Sequence, residues 1–111
     1  SAAAASRLNG VRGAGGRVVA IGTTVVRALE SAADAGGHVH ETAGWTDLVI
    51  GPGRPITAVD GLLTGWHEPG ASHLDMIEAI AGRSLAARSY AAAVAGRYLW
   101  HEFGDVHLIL P

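Results

Sequence analysis

The stretch that most limits how this chain can fold is Arg17–Ala33, RVVAIGTTVVRALESAA. A short apolar run, Val18–Ile21, ends at Gly22-Thr23-Thr24, and a helical pattern begins at once. A run that short, bounded by glycine, reads as a buried strand. Strand, tight turn and helix together form the unit from which α/β sheets are assembled. Such a turn sets backbone N–H groups and the positive end of the helix dipole above the strand's carboxyl edge, where an anionic or polar ligand can sit. Gly22, the hydroxyls of Thr23 and Thr24, and Arg27 about one turn further on are therefore candidate binding residues. The same arrangement also serves as an ordinary ligand-free strand–helix connection.

The rest of the chain supplies partners for that unit. Ala2–Ala14 reads as an alanine-rich helix closed by Gly13, Gly15 and Gly16. Thr23 or Thr24 is expected to cap a helix running to Ala35, ended by Gly36-Gly37. His38–Thr42 alternates like a short exposed strand, Thr46–Ile50 reads as a second apolar strand, and Gly51–Pro55 is a loop. Ile56–Leu63 is a third strand candidate, interrupted at Asp60-Gly61. Ser72 is expected to cap a helix to Ala81, with Gly82 as its stop. Ser84 is expected to cap another from Leu85 to Trp100, with Leu85, Tyr90, Val94, Tyr98 and Leu99 near one face. Val106–Leu110 is a last strand. This order predicts an α/β fold in which helices pack on a mixed sheet, with residues 1–111 forming a single domain.

Bulk properties narrow the function. The 111 residues are 49% hydrophobic and 16% charged, a globular balance with room for one core. Alanine supplies much of the apolar count, so the three tryptophans, Trp45, Trp66 and Trp100, are expected to anchor a core or a pocket. Eight arginines and no lysine, with a net charge of −2, give no concentrated basic patch for a nucleic acid. The absence of cysteine rules out disulfides, thiolate nucleophiles and cysteine-based zinc sites. No run approaches membrane-spanning length and no signal peptide is evident at the start, so a soluble, cytoplasmic protein without membrane partners is expected.

Chemistry concentrates in Gly65–Gly70, where His67 can shuttle a proton or donate a hydrogen bond near neutral pH. A histidine that ties down a Gly/Pro turn would look the same. Asp60 stands in an apolar run and must sit in a pocket or accept backbone hydrogen bonds beside a bulge at Gly61. Asp105 precedes the last strand in a similar way. His38 and His40 share a strand face at a spacing that can bind zinc, but no third ligand is evident, and no metal site is expected. His73, Asp75 and Glu78 read as a solvated helix face.

Five blocks taken together carry a resemblance: GRVVAIGTTVVRALESAA, GWTDLVIGPG, VDGLLTGWHEP, AIAGRSLAARSYAAAV and RYLWHEFGDVHLIL. Their order and spacing, from Gly15 to Leu110, resemble the C-terminal part of the S-adenosylmethionine:tRNA ribosyltransferase-isomerase family of queuosine biosynthesis. The resemblance implies a partial α/β domain of a longer two-domain protein, inactive alone. It implies cofactor-free chemistry with S-adenosylmethionine as ribosyl donor and tRNA carrying an aminomethyl-deazaguanine base as acceptor, giving epoxyqueuosine. It suggests His67 and Asp60 as catalytic, and Gly22, Thr23, Thr24, Arg27 and Asp105 as substrate-binding. The chain departs from the family's pattern where a basic residue is replaced by Gly70, a Ser-Thr pair becomes Ala71-Ser72, Glu68 appears beside His67, and Val106-His107 follows Gly104-Asp105. A divergent member acting on another nucleoside or S-adenosylmethionine-type substrate, or a non-catalytic binding domain, stays open on these residues. So does self-association of a partial domain through exposed apolar surface.

Overall fold

The structure is a computed structural model that describes residues 1–111. The alanine-rich start forms helix α1 (Ala2–Gly13), and the strand–turn–helix unit follows as β1 (Val19–Ile21) and α2 (Thr23–Ala32). Then come β2 (Gly61–Gly65), α3 (Ser72–Ala81), α4 (Arg83–Ala95), a single 3₁₀ turn at His101–Phe103, and β3 (Val106–Ile109). The three strands lie in the order β1-β2-β3. β1 runs parallel to β2, with Ala20 opposite Leu62, and β3 returns antiparallel, with Leu63 opposite Leu108. The sheet is therefore mixed, with helices packed on it.

Paired residues share a face of a sheet, and the two faces here differ sharply. Ala20, Leu62, Thr64, His107 and Ile109 are buried under the helices, where Val26, Met76 and Ile77 complete the core. On the opposite face, Val19, Ile21, Val106 and Leu108 are exposed, Ile21 at 72%.

Several local expectations are corrected. None of the three helices expected to start on a hydroxyl cap does so: α2 and α4 take Gly22 and Gly82 as N-caps, α3 takes Ala71, and no side chain caps any of them. Gly22 sits at φ 91°, a backbone state that a side chain would oppose, and this lets the chain turn helical directly at Thr23. α4 stops at Ala95, five residues short of Trp100, because a Schellman pair closes it. Tyr98 N–H donates to Ala93 O, Arg97 N–H donates to Val94 O, and Arg97 takes the left-handed conformation at φ 58°. Its buried face is Ala86 and Ala93, with Tyr90 half-buried between them, so Leu85 and Val94 point out to solvent.

Thr46–Ile50 forms no ladder. Its Thr46 and Leu48 carbonyls accept hydrogen bonds from Arg27, and Leu48 N–H is taken by Thr46 Oγ1, so side chains replace a partner strand. His38–Thr42 contributes only an isolated bridge between Ala33 and Val39, with Asn9 pairing both backbone groups of Val39. The interruption at Asp60-Gly61 marks where the third strand begins rather than its middle. Of the tryptophans, Trp66 is buried, Trp100 is half-buried, and Trp45 is fully exposed.

Candidate ligand cleft

Two helix N-termini meet above the carboxyl ends of the parallel strands. α2 leaves β1 through Gly22, and α3 follows the loop after β2. Between them lies a cleft of about 230 Å³, lined by Thr23, Thr24, Arg27, Ser72, His73 and Met76 with the Leu48–Ile50 segment. Because no side chain caps either helix, the first-turn N–H groups at the cleft have no side-chain partner. Three hydroxyls, a guanidinium and an imidazole line it, and no carboxylate does. Such a set suits an anionic or hydroxyl-bearing group. Gly22, Thr23, Thr24 and Arg27 are thus brought together. Arg27, however, is partly committed: its Nε donates to Leu48 O at 3.1 Å and its Nη2 to Thr46 O at 3.3 Å.

His67 sits one layer behind. It is only 7% exposed, and its Nε2 lies 3.0 Å from Thr64 Oγ1. Its backbone N–H donates to Tyr90 Oη at 3.2 Å. The His73 ring lies nearly flat against it, with centroids 4.2 Å apart and planes at 14°, and His101 approaches to 5.0 Å. Burial, then the neighbouring His73 and His101, push the His67 pKa down to about 4, against a weak opposing pull from Glu102. His67 is consequently neutral at physiological pH. The packing depends on Gly65, where a Cβ would overlap the Cβ of His101.

Asp60 and His67, both suggested as catalytic, lie at opposite ends of β2. Asp60 Oδ2 instead accepts the Val18 N–H at 2.7 Å, while Val18 O accepts from the N–H groups of Asp60 and Gly61. The bulge-like role considered for it matches this geometry. Asp105 lies at the same sheet end as His67 but does not line the cleft; its Oδ2 accepts the Leu99 N–H at 2.6 Å and fixes the turn before β3. His38 and His40 are engaged by Asn9 and Asp34 respectively. The hydrogen bond from His40 is the main cause that lowers the Asp34 pKa.

Sequence reading missed other residues. Glu30 is 2% exposed, and its carboxylate accepts from Thr57 N–H, Thr57 Oγ1 and Ala58 N–H. A lone acid at a core-facing helical position was the available signal. His107 stacks on Trp66, with centroids 4.2 Å apart, and burial lowers its pKa. Burial likewise raises that of Tyr90. Trp66 Nε1 and His107 Nδ1 are buried without hydrogen-bond partners. A larger cavity, about 420 Å³ between α1, α2 and the Thr42–Asp47 loop, has His40 in its lining but none of His67, His73, His101 or His107.

Fold and cleft define an α/β domain that presents a small polar cleft at the carboxyl ends of a parallel strand pair, the usual ligand position in such sheets. The chain belongs to the queuosine biosynthesis protein family, whose profile matches residues 1–109. It is 50% identical over 107 residues to S-adenosylmethionine:tRNA ribosyltransferase-isomerase of Symbiobacterium thermophilum, covering 96% of this chain and 31% of that protein. It is 46% identical over 108 residues to the protein of the same name from Moorella thermoacetica, covering 97% of this chain and 32% of the relative. The crystal structure of S-adenosylmethionine tRNA ribosyltransferase from Thermotoga maritima superposes with a TM-score of 0.84 at 38% identity, over 95% of this chain and 37% of that one. The chain thus spans about a third of the length of these relatives.

Proposed function

We propose that this chain is the C-terminal segment of an S-adenosylmethionine:tRNA ribosyltransferase-isomerase and forms one wall of its donor-substrate site. The observation that carries this reading is the polar, carboxylate-free cleft between α2 and α3, found in a chain 50% identical to a protein of that name. Gly22, Thr23, Thr24 and Arg27 would line the binding site for S-adenosylmethionine, used as a substrate with no further cofactor, with the hydroxyls of Thr23 and Thr24 placed to meet its polar groups. tRNA would be the acceptor, and the site would be cytoplasmic. His67, kept unprotonated by burial, is in the form that a proton acceptor requires, and it sits behind the cleft, stacked on His73 and within hydrogen-bond distance of Thr64 Oγ1. Asp60 and Asp105 hold backbone. No helix is long and apolar enough to cross a membrane. The exposed sheet face of Val19, Ile21, Val106 and Leu108 supports covering by the rest of a longer chain, and self-association when this segment is alone.

The test uses a family-length protein containing this segment, incubated with S-adenosylmethionine and tRNA bearing aminomethyl-deazaguanine. Adenine release coupled to modification of the tRNA is expected. Thr24→Val should raise KM for S-adenosylmethionine about 5- to 10-fold, the value of one lost hydrogen bond, with kcat little changed. Adenine release without tRNA modification would instead favour a divergent member with another acceptor, as the Glu68–Ser72 departures allow. No release under any condition would sink the enzymatic reading.

A further inference from the structure

His73 was expected on a solvated helix face, yet it lines the cleft beside Thr23, Thr24, Arg27 and Ser72. We propose that His73 is the side chain that binds the carboxylate of the donor substrate in this cleft, and so sets its preference for a ligand with an anionic end. This rests on the donor-site reading above.

Three observations lead there. First, the cleft offers donors and no acid, so an anionic group meets no like charge on its walls. Second, Arg27 is the obvious anion partner, but two of its nitrogens already hold the Thr46 and Leu48 carbonyls. Turning that guanidinium fully toward a ligand would release the segment that forms the cleft's third wall. Third, His73 makes neither a hydrogen bond to a carbonyl nor an ion pair; its ring is held by its flat stack on His67. Stacking fixes the plane of an imidazole and leaves its edge N–H free to donate. His67 does not line the cleft, so the half-buried His73 is the member of the pair that can reach a ligand.

The experiment measures calorimetric affinity of a family-length protein carrying this segment for S-adenosylmethionine and for its decarboxylated analogue. The unaltered protein should favour S-adenosylmethionine by about tenfold or more, as expected for a charge-assisted hydrogen bond. His73→Leu should reduce that preference to about twofold or less while leaving affinity for the analogue unchanged. His73→Gln, a neutral donor, should restore part of it. Unchanged affinity for the analogue also shows that the variant is folded. Discrimination that survives His73→Leu overturns the inference and leaves the donor-site reading standing, as does equal binding of both ligands by the unaltered protein. Binding of neither ligand overturns both.

Discussion

At the N-terminal end of β2, charged side chains are consumed by the chain's own backbone; at its C-terminal end, polar groups are left over. Around Asp60, the Glu30 carboxylate takes the N–H groups of Thr57 and Ala58, Asp60 takes that of Val18, and Arg12 donates to the Gly37 and Thr57 carbonyls. Around His67, two helices start without a side-chain cap, and buried nitrogens of Trp66 and His107 have no partner. One strand thus joins a scaffold end to a ligand end, the end that carries the candidate ligand cleft. A buried carboxylate is therefore not evidence of catalysis; what it touches decides.

The strongest way to break this comparison is Glu30→Ala. It removes a carboxylate that serves one buried and one half-buried N–H group and a hydroxyl, and it should cost about 3 kcal/mol or more of stability. Urea denaturation checks this, with Glu30→Gln as a milder variant. A loss below about 1 kcal/mol would mean that Glu30 is not a scaffold group.

The ligand end should show itself through pH. His67 has a pKa of about 4 when folded, below the ordinary histidine value of 6.5 that it regains on unfolding. The unfolded chain therefore binds the extra proton first. The stabilising contribution is complete above pH 6.5 and is lost as pH falls from there toward 4. His107, also lowered by burial, acts in the same direction. His67→Gln should flatten part of this acid-side decline in thermal midpoint; an unchanged pH profile would remove His67 as its source.

Asp60→Ala is the smallest of the three effects. Losing one carboxylate bond to Val18 N–H beside a half-buried turn should cost about 1–2 kcal/mol. A marked fall in turnover with stability intact would move Asp60 from the scaffold end to the ligand end and erase the contrast.

Local signals made much of the fold legible. Gly22 after an apolar run marked the start of α2, Gly82 marked the stop of α3, and the apolar run after Gly104-Asp105 marked β3. The end of α4 was hidden because its left-handed residue is Arg97 rather than a glycine. Thr46–Ile50 resembles a strand because apolar patterning cannot tell a ladder from an extended segment held by an arginine. Of the cleft lining, Thr23, Thr24 and Arg27 were readable from their place after a strand. His73 was not, because its contacts lie across the cleft and not along its own helix.

The sequence by itself determined the strand–turn–helix unit, the mixed α/β class and the family, since each rests on local periodicity or on the order of blocks along the chain. Only the tertiary structure decided which polar residues build and which are left to bind. Glu30 meets Thr57 across 27 residues and Val18 meets Asp60 across 42. A side chain's chemistry depends on whether such distant partners satisfy it, and no local pattern encodes that.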